Sequence, residues 1–216
     1  MSRLALHGVR ALALWLCAAA ALAATSAPAG KTRPPTANAA PCEACHGVHG
    51  EGAPLAAIPR LAGQSADYLA KQLDDYENHT RDNVIMRNFA RGLSGSERAQ
   101  LGAYYATLAA PHTAETVVPS AQQLVRGRQL AFEGDEVERV QACDSCHGPD
   151  GSGLPHSAPY LAGQSAEYLA SQIRAWQKGT RKNDAGKLMV TVAEQLSSAD
   201  ITAVSAYFAS RGTEAN

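Results

Sequence analysis

The sequence lacks any strong excess of charge of one sign. Its 216 residues include 19 lysines and arginines against 20 aspartates and glutamates, for a formal net charge of −1. No basic stripe or block of like charge interrupts the chain, which argues against binding to nucleic acid or to an anionic membrane surface. The alternation of apolar and polar residues that is typical of half-buried strands is also lacking, so the sequence predicts an all-α protein.

Long hydrophobic runs are scarce as well. The run at residues 11–22 is shorter than the roughly 20 apolar residues that a membrane-spanning helix needs. Arg3 and Arg10 give the start of the chain a positive charge, and Ala-Leu-Ala at 21–23 offers a cleavage site. Residues 1–24 are therefore typical of a secretory signal peptide. We therefore predict a periplasmic protein that meets the membrane only through its partners or an uncleaved signal. Cleavage removes two arginines and no acids, which brings the formal charge to −3.

Cysteine is rare, and its placement is specific. Of the five cysteines, Cys17 lies inside the signal and the other four form two C-x-x-C-H motifs, so none remains for a disulfide. C-x-x-C-H is the attachment signature of c-type haem, because two thiols must reach two vinyl groups on one porphyrin edge while the adjacent imidazole binds the iron. The predicted attachment and ligand residues are Cys42, Cys45 and His46 in the first motif, and Cys143, Cys146 and His147 in the second.

The cysteine pairs have two alternative roles. They could form one four-thiolate zinc site, which would leave the histidine after each pair without a role. A thioredoxin-like redox pair would lie near a βαβ pattern, and no strand-like apolar run precedes either motif. Two covalently bound haem c groups per chain are therefore the main prediction.

The chain contains two copies of one unit. LAGQSADYLA at residues 61–70 returns as LAGQSAEYLA at residues 161–170, and the two haem motifs lie 101 residues apart. We predict tandem domains at 25–110 and 121–216, joined by a proline-bracketed linker at 111–120. Domains this small bury a modest fraction of their surface, so we expect each half to pack around its haem.

Helix-start signals recur in both copies. Ser65 and Ser165 can each cap an amphipathic helix. Ser94 with Glu97, and Ser197 with Asp200, form capping-box patterns at the start of the last helix of each half.

Methionine is also scarce, with three residues of which Met1 belongs to the signal. The other two, Met86 and Met189, hold equivalent positions about forty residues after their histidines, in what we interpret as a loop between two helices. A lone methionine is ordinarily a core filler, but two methionines paired with two haem motifs predict His/Met ligation of both irons. Iron closed on both sides favours an electron carrier over a catalyst.

The order of these motifs resembles cytochrome c4. The pattern C-x-x-C-H-G-x-x-G-x-G, then P-x-L-A-G-Q-x-x-x-Y-L, Thr-Arg, Met and a helix begun by Leu-Ser covers about 41–108 and 127–210. The resemblance implies two tandem class I cytochrome c domains and a carrier, not an enzyme, between the quinol-oxidising respiratory chain and a terminal oxidase. It implies quinol–cytochrome c reductase and a terminal oxidase as redox partners.

Two further residue pairs acquire roles only from this resemblance. Pro59 and Pro159 lie where such cytochromes offer a backbone carbonyl to the ligand imidazole. Arg81 and Arg181 precede the methionines and are candidates to approach haem propionates, with solvated arginines as the alternative.

Two competing functions are compatible with the same paired domains. They could be the electron-accepting haem subunit of a periplasmic dehydrogenase of the flavocytochrome type, or a di-haem peroxidase, against which the paired methionines argue.

One departure from the cytochrome c4 pattern concerns the helix that usually precedes the haem motif: residues 121–133 supply a candidate, but residues 31–40 contain Pro34 and Pro35. We therefore expect a more exposed, less stable first haem pocket.

Overall fold

Helices make up the framework of the protein. The computed structural model describes residues 39–110, 118–156 and 158–212, and within these ranges it contains helices and isolated bridges but no strand. The predicted all-α class is therefore confirmed. The predicted signal peptide at 1–24, residues 31–38 of the proline-bearing segment and residues 111–117 of the predicted linker lie outside the described residues.

The two halves repeat one helical order. The first contains α1 (Ala40–His46), α2 (Ala66–Glu77), α3 (Val84–Ala90) and α4 (Gly95–Ala106). The second contains α5 (Ala121–Phe132), α6 (Asp144–His147), α7 (Ala166–Gln177), α8 (Leu188–Gln195) and α9 (Ser198–Ser210). Helix α5 is the expected element ahead of the second haem motif, while the described part of the first half begins at Ala39, immediately before α1.

Serine side chains start the long helices as the sequence predicts. The hydroxyls of Ser65 and Ser165 accept hydrogen bonds from the N–H groups of Tyr68 and Tyr168, at 3.5 and 3.2 Å. Complete capping boxes open α4 and α9, because in each case the serine and the acidic residue three positions later exchange hydrogen bonds.

Each half has its own apolar core. In the first, Leu69 of α2 packs with Leu101 and Tyr105 of α4. In the second, Leu130 of α5 joins Ile201 and Phe208 of α9, so α5 contributes directly to the core. Among the described residues, no helix is both long enough and apolar enough to cross a membrane.

The halves meet through an antiparallel bridge between Arg81 and Arg181. On its two sides the N–H of Asp82 donates to the carbonyl of Thr180 at 2.9 Å, and the N–H of Lys182 donates to the carbonyl of Thr80 at 2.8 Å. The exchange is reciprocal, so equivalent residues of the two copies face each other across the junction.

Candidate functional site

Two buried histidines stand at the ends of the C-x-x-C-H helices. His46 closes α1 and His147 closes α6, and their exposed fractions are 7% and 8%. The glycine after each histidine has positive φ, +83° at Gly47 and +75° at Gly148, which turns the chain away where a side chain would be strained.

A proline carbonyl fixes the tautomer of each histidine. His46 Nδ1 lies 2.8 Å from the carbonyl oxygen of Pro59, and His147 Nδ1 lies 3.1 Å from that of Pro159. Because a carbonyl can only accept, Nδ1 carries the proton and Nε2 keeps the lone pair that a metal requires. Burial lowers the pKa of both histidines and the carbonyl contact only partly opposes this, which favours the neutral, ligating form.

The cysteines of each motif lie on the same short turn as the histidine. Cys42 and Cys143 are partly buried, Cys45 and Cys146 are exposed, and none of the four forms a disulfide. Burial, with a smaller contribution from Asp144, raises the pKa of the Cys143 thiol to about 12. Within the described ranges no three His, Cys, Asp or Glu side chains gather as a metal site, and the four-thiolate zinc alternative has no support.

The methionines lie on helices and not in a loop, which corrects the interpretation from sequence. Met86 is in the first turn of α3 and its N–H donates to Asn83 Oδ1 at 2.9 Å. Met189 is in the first turn of α8 and its N–H donates to Asp184 Oδ2 at 2.8 Å.

One cavity of about 990 Å³ joins all these groups. Its wall contains the four cysteines, both histidines and both methionines, together with apolar and aromatic side chains from every long helix except α5. Buried neutral imidazoles, paired thiols and methionine sulfurs around an apolar space form the donor set of a thioether-linked porphyrin with iron. The residues therefore fit haem c in both halves.

Two buried arginines face this cavity from the junction of the halves. Arg81 and Arg181 are each 4% exposed. Arg81 donates to Gln72, Tyr168 and Gln172, and Arg181 donates to Gln72, Tyr68, Gln172 and Asn183. The guanidinium of Arg81 stacks 4.8 Å from the ring of Tyr76, and that of Arg181 stacks 4.0 Å from the ring of Trp176.

The acceptors of these two arginines are side-chain amide and hydroxyl oxygens. In the part of the chain that the structure describes, no carboxylate forms an ion pair with Arg81 or Arg181. Two buried cations without a counter-ion are costly, which makes an anion in the adjoining cavity favourable.

Sequence reasoning missed several polar residues at this junction. Gln64, Gln72 and Tyr68, with Gln164, Gln172 and Tyr168, form hydrogen bonds between the halves. Their signal was present in the repeat itself, because the same uncharged polar residues stand at the same positions of both copies.

Comparisons with known proteins agree with this geometry. The sequence profile of the family "Cytochrome c" matches residues 35–108 and 125–211. The chain is 42% identical over 171 residues to the thiosulfate dehydrogenase electron acceptor of Stutzerimonas stutzeri, an alignment that covers 79% of each chain. It is 36% identical over 183 residues to cytochrome c4 of Pseudomonas aeruginosa, covering 83% of this chain and 88% of the relative. The crystal structure of reduced cytochrome c4 from Pseudomonas stutzeri superposes with a TM-score of 0.72 at 32% identity, covering 80% of this chain and 94% of that one.

Proposed function

The chain belongs to the cytochrome c4 family of di-haem electron carriers, and we propose that it carries electrons in the periplasm from a thiosulfate-oxidising dehydrogenase to a terminal oxidase. The observation that supports this role best is the repetition of one complete donor set in both halves. Each half has paired thiols, a carbonyl-anchored imidazole and a methionine around the shared cavity.

The chain carries two covalently bound haem c groups, each of which supplies a one-electron redox centre when bound. We propose that Cys42 and Cys45 attach the first and Cys143 and Cys146 the second. We propose that His46 and Met86 would hold the iron of the first haem, and His147 and Met189 that of the second. An iron held by two protein ligands in this way would have no open position for a substrate, which fits transfer of electrons and not turnover.

Arg81 and Arg181 are proposed to hold the propionates of the two haems. The support is their burial, the lack of a carboxylate partner among the described residues, and their place in the cavity wall. Two carboxylates would neutralise two guanidiniums that otherwise repel each other at the junction. Removal of either positive charge should favour the ferric state and lower the potential of the neighbouring haem.

Two enzymes are candidates for the electron donor, and a reduction assay distinguishes them. The acceptor relative supports a dehydrogenase that oxidises thiosulfate, since its name states that role and it shares 42% identity. Quinol–cytochrome c reductase is the second candidate, supported by the cytochrome c4 relatives. The purified holoprotein should be reduced by thiosulfate with catalytic amounts of thiosulfate dehydrogenase, and reduction only by quinol with quinol–cytochrome c reductase would select the second candidate.

Ligation is tested on the same preparation. A pyridine haemochrome assay should give two covalent haems per chain, and the oxidised protein should show the methionine-to-iron charge-transfer band. Met86→His and Met189→His should each remove about half of that band. A band that neither substitution changes would contradict the proposed ligands.

A further inference from the structure

The glutamine of each LAGQ repeat reaches across to the other half of the molecule. Gln64 and Gln164 are buried, with 4% and 3% of their surface exposed. Gln164 Oε1 accepts from the N–H of Arg60 at 3.0 Å, and its Nε2 donates to the carbonyl of Arg60 at 3.1 Å. Gln64 Oε1 accepts from the N–H of Tyr160 at 3.1 Å, and its Nε2 donates to the carbonyl of Tyr160 at 2.6 Å. Each amide therefore clamps both backbone groups of one residue in the opposite domain.

The clamped residues directly follow the prolines that hold the histidines. Arg60 comes after Pro59, whose carbonyl lies 2.8 Å from His46 Nδ1, and its own N–H belongs to that same peptide unit. Since a peptide unit is planar, an amide that fixes the N–H of Arg60 also fixes the direction of the Pro59 carbonyl. The second domain shows the same arrangement. Gln64 accepts from the N–H of Tyr160, which shares a peptide unit with the Pro159 carbonyl, and that carbonyl contacts His147 Nδ1.

The Arg60 side chain strengthens the first clamp. Its Nη2 donates to the carbonyl of Ala162 at 2.9 Å and its Nη1 to that of Gly163 at 3.4 Å, so side chain and backbone of Arg60 are both held by the second domain. Arg60 is 1% exposed, which leaves no water to replace these bonds.

We propose that Gln64 and Gln164 are positioning residues that act across the domain boundary, each setting the histidine–carbonyl hydrogen bond of the other domain's haem. The inference rests on the proposed ligation of iron by His46 and His147. A well-aligned Nδ1–H···O=C bond makes an imidazole a stronger donor to the metal, which favours the ferric state. Domain two thereby tunes the first haem, and domain one tunes the second.

The test substitutes each glutamine by a residue of similar length without hydrogen-bonding groups. In holoprotein carrying Gln164→Met, the Pro59 carbonyl should loosen, the basicity of His46 should fall and the potential of the first haem should rise. We expect the oxidised-to-reduced ratio of that haem at fixed ambient potential to fall about threefold, equivalent to about 28 mV at 59 mV per tenfold change. The second haem should shift far less. Gln64→Met should produce the mirror result.

Nuclear magnetic resonance supplies a readout that does not depend on electron transfer. In the reduced protein, the Nδ1–H proton of His46 should exchange faster in Gln164→Met, and that of His147 should exchange faster in Gln64→Met. The signals of the two haems are assigned with the Met86→His and Met189→His variants.

Tyr168→Phe serves as the matched control for a general loosening of the junction. It removes the hydroxyl that accepts from Arg81 at 2.6 Å but leaves both glutamine clamps in place. Its effect on Nδ1–H exchange should be small at both histidines. Equal shifts of both haems in each glutamine variant, or shifts confined to the haem of the substituted domain, would overturn the inference. Failure of the proposed function would show separately, as a wild-type holoprotein that lacks the methionine band or that neither thiosulfate dehydrogenase nor quinol–cytochrome c reductase reduces.

Discussion

The two domains satisfy the same backbone carbonyl with different side chains. In the first, the carbonyl of Ala90 at the end of α3 accepts from Arg98 of α4 at 3.0 Å. In the second, the equivalent carbonyl of Ala193 accepts from Gln177 of α7 at 2.8 Å, and Gln177 also donates to the carbonyl of Leu196 at 3.0 Å. A duplicated fold has thus kept the hydrogen bond and moved its donor to another helix.

The two domains also differ in charge at the position of Arg98. Arg98 is 6% exposed and pairs with Asp74 at 2.6 Å and with Glu77 at 2.5 Å. The position of Arg98 in the second copy is taken by Ile201, which is 1% exposed in the core that α5 helps to form. One domain is therefore stabilised there by an ion-pair triad, and the other by apolar burial.

The largest expected effect on stability comes from placing an arginine at the position of Ile201, where no carboxylates correspond to Asp74 and Glu77. Ile201→Arg would place a guanidinium in the second core, where Arg174 and Gln177 stand at the positions of Asp74 and Glu77. An unpaired buried charge should cost the second domain about 3–5 kcal/mol of unfolding free energy. Native-state hydrogen exchange of the holoprotein, resolved by domain, measures the loss.

The reverse substitution is the control. Arg98→Ile removes a cation whose carboxylate partners are 49% and 39% exposed and can return to water, so the first domain should change by only about 1 kcal/mol. If the two variants lost similar amounts of unfolding free energy, the cost would not depend on whether the buried arginine has carboxylate partners, and the prediction would be wrong.

A second contrast lies in where helices approach most closely. A Cβ at Gly102 of α4 would stand 2.4 Å from the carbonyl oxygen of Ala66, whereas the second copy has the larger Ser205 at this position. In the second domain the tight crossing is between α5 and α9, where a Cβ at Gly127 would stand 2.3 Å from the carbonyl oxygen of Ala203. Among the described residues, a tight helix approach thus lies between α2 and α4 in the first domain and between α5 and α9 in the second.

Overpacking should therefore act on one domain at a time. Gly102→Ser should destabilise the first domain, and Gly127→Ala the second, by about 1–3 kcal/mol each, because the obstructing atoms are backbone. Gly95→Ala is the control, since nothing lies within 4 Å of its added Cβ. Urea unfolding followed by hydrogen exchange gives the values. If Gly102→Ser caused no loss of stability, α2 and α4 would be able to move apart to the spacing at which α7 and α9 accommodate Ser205, and the prediction would be wrong.

Much of this fold could be predicted from local sequence. Helix starts were visible because a serine and its partner three positions later define a cap without reference to the rest of the chain. Helix α5 was visible at 121–133 because apolar residues recur there and no proline intervenes, and it occupies Ala121–Phe132. Leu196 and Ile201, which flank the start of α9, are both buried in the second core.

Features that depend on distant partners could not be predicted in this way. The burial of Arg98 has no local signal because its carboxylates lie on another helix. The glutamine clamps join residues about a hundred positions apart, so only the repetition of Gln64 as Gln164 hinted at them. The helical setting of Met86 and Met189 was missed because each helix is short and starts within an irregular segment.

The ion-pair triad should also respond to the loss of its carboxylates. Asp74→Asn combined with Glu77→Gln leaves Arg98 buried beside neutral groups and should cost the first domain about 1–2 kcal/mol. Added salt should weaken the wild-type first domain but have less effect on the double variant and on the second domain. Equal salt sensitivity of both domains, by hydrogen exchange at two ionic strengths, would contradict an electrostatic origin.

The smallest expected effect is the pH dependence of the α9 cap. Asp200 Oδ1 accepts from Arg126 Nε at 2.7 Å and Oδ2 accepts from the Ser197 hydroxyl at 2.6 Å. Burial by itself raises the pKa of Asp200, but the bonds from Arg126 and Ser197 outweigh it and hold the pKa below its usual value. A carboxyl with a lower pKa in the folded state stabilises the fold above the unfolded pKa of about 3.9, and this contribution disappears as pH falls through the folded value.

Asp200→Asn should therefore cost the second domain about 1 kcal/mol at pH 7 and progressively less in acid. Glu97, the matching cap residue of α4, also has a lowered pKa, because it accepts hydrogen bonds from Ser94, but no lysine or arginine of the described residues forms an ion pair with it. Glu97→Gln should consequently show the same sign with a smaller amplitude. A cost of Asp200→Asn that stays constant from neutral to strongly acid pH would assign the effect to shape and not to charge, and the two caps would then be equivalent.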